Sequence, residues 1–334
     1  MSFWQGTKVL VTGGAGFIGS HLTAELLRRG ARVRAVDNLE RGRLENLAAV
    51  LAEIEFRQDD LRHVEVCRRA AKDMDVVFHL ASKVGGIKYY CGQPAEVLSQ
   101  NLLIDTFMLQ GAMTGGVSRY LYASSAHIYP IQLQAQPDAP PIKEEQALPA
   151  HPALSYGWAK LMGEKQIEYS IAQGHPLRAG IVRLIGVYGP TQDPDLATGS
   201  AIPVFIRRAI EYPARKPFTI LGSGRETRSY CYVSDIVEAL LLAVEKSDEH
   251  LLLGPMNVGS EERISIGDLA REIIAISGKQ AEIEYDLSHP TQIWGQTLDC
   301  SKAGKLLGWR PRVALREGLK RTYAHMMKKA IPVV

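Results

Sequence analysis

The stretch Val11-Thr-Gly-Gly-Ala-Gly-Phe-Ile-Gly19 follows an apolar segment and precedes the amphipathic segment Ser20–Arg29. It is therefore predicted to be the turn between a strand and a helix. In such a turn Gly13 permits the tight bend, Gly16 lets the backbone approach a phosphate, and Gly19 lets the helix pack closely. The helix N-terminus offers free N–H groups and a positive dipole end to an anion. The spacing predicts a site for the pyrophosphate of a dinucleotide.

A second predicted strand, Arg32–Val36, ends at Asp37, about 20 residues beyond the first glycine, as this type of turn requires. A carboxylate there accepts hydrogen bonds from both hydroxyls of the adenosine ribose and repels a 2′-phosphate. The sequence therefore predicts NAD as the cofactor. Arg41 and Arg43 lie just beyond and leave NADP open as an alternative.

The length and composition narrow the class of protein. The chain has 334 residues and a net charge of +3, which suits one large α/β domain with a smaller one and gives no indication of a nucleic-acid partner. No signal peptide is visible, and no apolar run approaches the roughly 18 residues of a membrane span. Four scattered cysteines predict reduced thiols and no metal site: Cys67, Cys91, Cys231 and Cys300. A cytoplasmic protein that does not bind membranes is expected.

Strand-like and helix-like segments alternate along the chain, which predicts an α/β fold with a Rossmann-type, doubly wound parallel sheet. The predicted strands are Lys8–Val11, Arg32–Val36, Ile54–Gln58, Val76–Leu80, Arg119–Ala123, Gly180–Leu184 and Met256–Val258. Beyond Gly189 the helical pieces are short: Ile202–Glu211, Ile266–Ser277 and Ser301–Leu307. We predict an NAD-binding domain at 1–188, with returns at about 230–258, and a discontinuous C-terminal substrate lobe at 189–229 and 259–334.

A second informative cluster is Tyr156-Gly-Trp-Ala-Lys160. Residues four apart on a helix lie on one face, one turn from each other. A free tyrosine has a pKa near 10 and is a poor base at neutral pH. A nearby ammonium and a positive nicotinamide ring favour the phenolate, so Tyr156 is predicted to be a catalytic base assisted by Lys160.

These segments, together with several others, resemble the extended short-chain dehydrogenase/reductases, in the NAD-dependent nucleotide-sugar epimerase and dehydratase branch. The other segments are Asp60-Leu61, His79-Leu-Ala81, Ser124-Ser125 with Tyr129, Tyr188-Gly-Pro190 and Ser301-Lys-Ala with Leu307-Gly-Trp309. Within this branch, three stretches are similar to GDP-mannose 3,5-epimerases and GDP-fucose synthases: Lys83-Val-Gly-Gly-Ile87, Ser124-Ser-Ala-His-Ile-Tyr-Pro130 and Gly224-Arg-Glu-Thr-Arg-Ser229.

The resemblance implies roles for particular residues. Ser125 would hydrogen-bond the sugar hydroxyl, Tyr156 would be the base, and Lys160 would anchor the nicotinamide ribose. The implied cofactor-binding residues are Gly13, Gly16, Phe17, Ile18, Gly19, Asp37, Asn38, Asp60, Leu61, Leu80, Ala81, Lys83, Asn101, Tyr156 and Lys160. The implied substrate-binding residues are Val84, Gly85, Gly86, Ser125, His127 and Arg228.

The implied chemistry is a transient oxidation of the sugar to a ketone, which can be epimerised, dehydrated or reduced. His127 replaces a cysteine that exchanges a proton beside the ketone in the two similar families, so it is a fourth predicted catalytic residue; the alternative is a histidine of the pocket wall. Gly189–Pro203 lacks the second His or Lys acid of those families, which leaves Lys88, Tyr89 or Cys91. The stretch Ser125-Ala-His127 lacks the carboxylates of 4,6-dehydratases, which disfavours dehydration.

The leading interpretation is an NAD-dependent nucleotide-sugar epimerase that retains its cofactor, with a GDP-linked hexose ahead of UDP- or dTDP-sugars. One alternative is a nucleotide-sugar 4-ketoreductase or dehydrogenase that releases its reduced cofactor. Another, of a different class, is a catalytically silent dinucleotide sensor. By resemblance a homodimer is expected, formed by the helices that contain Asn101–Met113 and Tyr156–Gln173.

Overall fold

A computed structural model describes residues 3–214, 217–288 and 293–330. Strands and helices are numbered along the chain. The central sheet contains β1 (Lys8–Thr12), β2 (Arg32–Asp37), β3 (Glu55–Gln58), β4 (Val76–His79), β5 (Arg119–Ser125), β6 (Arg178–Leu184) and β11 (Leu252–Val258). Its strand order is β11-β6-β5-β4-β1-β2-β3, and all neighbours pair in parallel. The doubly wound parallel sheet predicted from the sequence is confirmed.

Helices cover both faces of this sheet. One face is covered by α1 (Phe17–Arg28) and α7 (Val233–Glu245), and the other by α2 (Val64–Ala71), α4 (Pro94–Thr114) and α5 (Ser155–Ala172). The other helices of the described residues are α3 (Ile87–Gly92), α6 (Ala201–Glu211), α8 (Ile266–Ser277), α9 (Ser301–Leu307) and α10 (Leu315–Ala330). Leu22 of α1 and Leu240 of α7 belong to one buried cluster, whereas Met108 of α4 and Ile167 of α5 belong to another. Because both faces are covered, β4 is buried along its whole length.

The predicted strand positions are correct, but some ends differ. The strand predicted at Met256–Val258 begins at Leu252 in the structure, with an irregular register between Leu253 and Met256. Pro255 lacks the N–H group that a regular ladder needs, and Gly254 has a φ of +109°. Gly254 and Pro255 therefore form a bulge within the strand. The sequence pattern had placed the start of the strand after them, at Met256.

Residues outside the central sheet form three smaller sheets. One pairs β7 (Val187–Tyr188) with β10 (Cys231–Tyr232), another pairs β8 (Phe218–Leu221) with β13 (Ile283–Asp286), and the third has the order β12 (Arg263–Ser265), β9 (Thr227–Ser229), β14 (Gly295–Gln296). Segments far apart in sequence therefore share these sheets. In contrast, β11 belongs to the central sheet, and α7 packs against that sheet. The domain boundaries at 188, 230 and 258 stay predictions. None of the helices in the described residues has the length and hydrophobicity needed to cross a bilayer.

Candidate active site

A cleft of about 390 Å³ opens at the carboxyl ends of the central strands. Strands β1 and β4 are neighbours at this point, and the connections from them run to opposite sides of the sheet. A doubly wound sheet leaves a crevice where its strand order reverses in this way. The glycine-rich turn lies at one end of the cleft, and Ser125 and Tyr156 line its other part. The topology thus brings the two sequence clusters into one cavity.

The turn has the conformation for which glycine is required. Gly13 has a φ of +67° and lies against the backbone of Ala81. A Cβ on Gly19 would lie 2.1 Å from the carbonyl oxygen of Gly13, so any larger residue there would force the turn open. Gly16 precedes α1 and donates its N–H to the same oxygen at 3.0 Å. Gly19 therefore serves close packing of the helix on the turn itself.

Asp37 lies at the end of β2 and is 8% exposed. Its carboxylate accepts hydrogen bonds from the N–H groups of Ala15 at 3.1 Å and Leu39 at 2.9 Å. Burial raises the pKa of Asp37, while these N–H groups act in the opposite direction. The guanidinium of Arg41 donates to the carbonyl of Val84 and the carboxylate of Asp193. Arg41, which had left NADP open, is therefore already engaged with protein groups.

We predict that NAD binds at least about tenfold more tightly than NADP, because a 2′-phosphate would lose the ribose hydrogen bond and face the carboxylate of Asp37. Calorimetric titration with both cofactors measures the difference, and Asp37→Asn should reduce it. Glu45→Gln removes an exposed carboxylate nearby and should leave the preference unchanged. Equal dissociation constants for the two cofactors in the wild type would contradict this prediction.

Most predicted cofactor residues line the cleft, including Phe17, Ile18, Asn38, Asp60, Leu61, Leu80, Ala81 and Lys83. Asn101 does not line it. The buried Asn101 side chain accepts hydrogen bonds from the Ser82 hydroxyl at 2.6 Å and the Lys83 N–H at 2.8 Å. Asn101 thus fixes the loop after β4, and its predicted cofactor contact would be indirect. The amino group of Lys83 pairs with Glu40 and Glu96.

Tyr156 lies at the inner end of the cleft and is 7% exposed. Burial raises the pKa of its phenol, whereas the hydroxyls of Ser82 and Ser125 beside it lower that pKa. Its ring stacks on Tyr90, with 5.1 Å between centroids, and the ring of His127 lies edge-on at 6.0 Å. A hydroxyl of the substrate could therefore reach Tyr156 and Ser125 together.

Lys160 is on the same helix face one turn later, as predicted, but its amino group does not line the cleft. It is 1% exposed, and its Nζ lies 3.4 Å from Asp105 Oδ1 and 4.6 Å from the ring centroid of Tyr122. The pKa of Lys160 is lowered overall, because burial outweighs the opposing effect of the Asp105 charge. The ammonium is thus held by a carboxylate that sequence reasoning did not select.

His127 and Arg228 lie near each other outside the lining of the cleft. Burial and, to a smaller extent, the charge of Arg228 lower the pKa of His127 to about 4. Its Nδ1 is buried without a hydrogen-bond partner in the described residues. Arg228 donates to the carbonyls of Thr227 and Ile293 at 2.7 and 2.9 Å, and no described carboxylate forms an ion pair with it.

The loop and short helix after β4, residues 83–92, contain the remaining predicted substrate and acid residues. Val84 and Gly85 line the cleft, and the N–H of Gly86 donates to the carbonyl of Thr198 at 2.7 Å. Among the three predicted partner acids, Cys91 is exposed, and the side chain of Lys88 lies outside the described part. Tyr90, which was not predicted, is the residue of this loop that contacts the rings of Tyr156 and His127.

Comparison with known proteins agrees with this geometry. The sequence matches the NAD dependent epimerase/dehydratase family over residues 9–259. It is 32% identical over 324 residues to GDP-mannose 3,5-epimerase of Arabidopsis thaliana, which covers 96% of this chain and 83% of that protein.

Solved structures of nucleotide-sugar epimerases are also similar to this protein. The UDP-glucose 4-epimerase of Thermotoga maritima, solved with UDP-glucose, superimposes with a TM-score of 0.86 at 30% identity over 97% of this chain and 100% of that one. The UDP-glucuronic acid 4-epimerase of Bacillus cereus, in complex with UDP-glucuronic acid and NAD, gives 0.83 at 27% identity over 97% and 100%. The chain belongs to the NAD-dependent epimerase/dehydratase family, as its motifs predicted.

Proposed function

We propose that this NAD-dependent nucleotide-sugar epimerase acts on a GDP-linked hexose. The observation that carries the proposal is the meeting of Ser125 and Tyr156 at the inner end of a cleft that begins at the dinucleotide turn. The similarity to GDP-mannose 3,5-epimerase over nearly the whole chain supports the GDP-linked class. Arg228, a cation without a carboxylate partner in the described residues, suits the diphosphate of such a substrate.

The reaction begins with transient oxidation of one sugar carbon. NAD, when bound, would supply the hydride acceptor for this oxidation and the hydride donor for the reverse reduction. Tyr156 removes the proton of the sugar hydroxyl, and Ser125 hydrogen-bonds the same oxygen. Lys160 contributes positive charge that favours the phenolate of Tyr156. Asp37 would hold the adenosine ribose of the cofactor, and the N-terminus of α1 would hold its pyrophosphate.

His127 is proposed to exchange a proton at the carbon beside the transient ketone. With a pKa of about 4 its imidazole is neutral at pH 7, so it enters the reaction as a base. The low pKa makes it a weaker base than a free imidazole, but a ketone acidifies the neighbouring C–H bond. The unpartnered Nδ1 supports this assignment, since no protein group of the described chain occupies that lone pair or proton.

The proposal predicts that solvent hydrogen enters carbon during turnover. In deuterium oxide, mass spectrometry of a GDP-hexose recovered after incubation should show one or two deuterons. His127→Ala should abolish this incorporation while hydride transfer to the cofactor continues, because Tyr156 and Ser125 are unchanged. His151→Ala, at an exposed histidine, is the matched control and should behave as wild type.

Other outcomes separate the alternatives. Epimerisation without deuterium would mean rotation of a 4-ketone and would leave His127 as a wall residue. A protein that purifies without nucleotide and consumes reduced cofactor would be a ketoreductase. Tight binding of NAD with no turnover of GDP-, UDP- or dTDP-hexoses would indicate a sensor. Turnover of UDP- or dTDP-hexoses alone would contradict the GDP assignment while retaining the epimerase.

A cytoplasmic homodimer is part of the proposal. Helices α4 and α5 pack against each other, and both present large exposed apolar side chains: Leu103, Trp158, Met162 and Tyr169. Apolar side chains on paired helices are typical of subunit interfaces. The four cysteines are unpaired, as expected for a reducing compartment.

A further inference from the structure

A series of buried polar side chains connects β1 to α5. Thr12 Oγ1 lies 2.9 Å from His79 Nδ1, and His79 Nε2 lies 3.0 Å from Asp105 Oδ1. The same carboxylate oxygen is 3.4 Å from the ammonium of Lys160. These four residues are at most 3% exposed. Of these four side chains only Lys160 has a role in the proposed reaction, and the other three surround it with hydrogen-bonding groups and one carboxylate.

Hydrogen bonds settle the tautomer of His79. The Thr12 oxygen accepts the N–H groups of Leu80 and Ala81, both at 3.1 Å, so its own hydrogen is free to be donated to His79 Nδ1. Nε2 then carries the ring proton and donates it to Asp105. Burial lowers the pKa of His79, which keeps the ring neutral. A neutral histidine orients the carboxylate without cancelling its charge.

Asp105 receives two further donors. The hydroxyl of Tyr122 donates to Oδ2 at 2.5 Å, and the Lys160 ammonium lies at Oδ1. Burial raises the pKa of Asp105, but the charge of Lys160 and these hydrogen bonds outweigh it, and the net shift is downward. In the described residues, Asp105 is the one carboxylate within ion-pair distance of Lys160.

We propose that Asp105 is a positioning residue that keeps Lys160 protonated inside the protein and thereby sets the pH range in which Tyr156 can act as the base. The inference rests on the proposed roles of Tyr156 and Lys160. An isolated ammonium in a buried site loses its proton readily, because burial disfavours the charged form. The carboxylate of Asp105, 3.4 Å from the ammonium, opposes this loss and offsets part of the effect of burial.

Other ionisable groups around the pair do not replace Asp105. They come from β4, β5, α3 and α5: His79, Tyr120, Tyr122, Tyr90, Tyr156 and Glu164. His79 is neutral, and burial raises the pKa values of the tyrosines. Glu164 is neutralised by a two-point pair with Arg183 at 2.7 and 2.9 Å. Glu164 also acts to raise the pKa of Lys160, but less than Asp105 does, and it forms no ion pair with that ammonium in the described structure.

Removal of this charge has a specific effect on the pH profile. Activity needs the phenolate of Tyr156 and the ammonium of Lys160, so the profile is bell-shaped. Without Asp105 the ammonium of Lys160 loses its proton at lower pH. The alkaline side of the profile therefore moves to lower pH. The phenolate of Tyr156 is also freed from repulsion by the carboxylate of Asp105, which lowers the pKa of Tyr156. The acidic side of the profile therefore moves to lower pH as well. The two apparent pKa values belong to the coupled pair.

The test is Asp105→Asn in the full-length protein. We expect both sides of the kcat/KM profile on a GDP-hexose to move to lower pH, the alkaline side by about one unit or more. Calorimetric titration of NAD into the protein after removal of bound nucleotide gives a substrate-independent readout. Its affinity should fall at correspondingly lower pH, because a neutral Lys160 loses the charge-assisted hydrogen bonds to the nicotinamide ribose that the family resemblance implies.

One further variant serves as a control, and another repeats the test with a different side chain. Asp235→Asn removes a buried carboxylate that accepts the N–H groups of Arg312 and Val313, both at 2.9 Å, and should leave both pH profiles in place. Asp105→Ser removes the charge with a smaller side chain and should reproduce the shift if Asp105→Asn folds poorly. Lower activity or affinity with unchanged pH dependence in the folded Asp105 variants would overturn the proposal. If GDP-hexoses are not substrates, the proposed function fails, but the NAD titrations still decide the role of Asp105.

Discussion

Tyr156→Phe is expected to lower turnover by about 10²-fold or more, the range associated with loss of a general base. The phenylalanine ring keeps the stack on Tyr90 at 5.1 Å, so the fold should survive. NAD binding should also survive, because the glycine turn and Asp37 are unchanged. The measurement is steady-state turnover of a GDP-hexose, together with calorimetry of NAD binding.

The phenol of Tyr156 is buried, and this burial raises its pKa. The phenolate therefore depends on positive charge brought close to it, from Lys160 and from the oxidised cofactor when bound. Tyr285→Phe, at an exposed tyrosine of β13, is the matched control and should be silent. Near-normal turnover by Tyr156→Phe would show that another group takes the proton.

The positions of the central strands could be predicted because a parallel sheet buried on both faces requires apolar runs. Strand β4 is such a run and is buried throughout. The cleft was predictable for a related reason, since the glycine turn and Asp37 have a fixed spacing along one β-α-β unit. These features depend on local patterns of fewer than about 30 residues.

Features that depend on long-range contacts were not predictable. Asp105 is an acid within an otherwise apolar stretch of α4, which suggests burial, but its partners His79 and Lys160 lie 26 and 55 residues away in sequence. The contact of Tyr90 with Tyr156 was also not predictable, because the chain between them must fold before the two rings stack. The engagement of Arg41 by Asp193 spans 152 residues. Sequence spacing does not specify such pairings.

The pKa of His127 shows the same limit. Its identity and its place two residues after Ser125 indicated a role, but the enclosure of the ring and the charge of Arg228 determine its basicity. Arg228 lies 101 positions further along the chain. Residue type predicts the reference pKa, whereas the environment sets the shift.

Arg183→Met should destabilise the protein by about 3–5 kcal/mol, the cost of breaking a buried ion pair from one side. Arg183 and Glu164 are 3% and 0% exposed, and the guanidinium donates to both carboxylate oxygens. It also donates to the Tyr129 hydroxyl at 3.0 Å and the Glu144 carbonyl at 2.9 Å. Urea-induced unfolding followed by circular dichroism measures the change in the free energy of unfolding.

The cost arises because Glu164 would stay buried with one hydrogen-bond donor among the described residues, the Ser124 hydroxyl at 2.5 Å. Adding Glu164→Gln to Arg183→Met removes the isolated charge and should recover a large part of the loss. Arg321→Met breaks an exposed pair, with both side chains 51% exposed, and should cost no more than about 1 kcal/mol. An equal loss in Arg183→Met and Arg321→Met would mean that burial adds nothing to this pair. Since Ser124 adjoins Ser125, the pair also anchors the strand end from which the proposed catalytic hydroxyl projects.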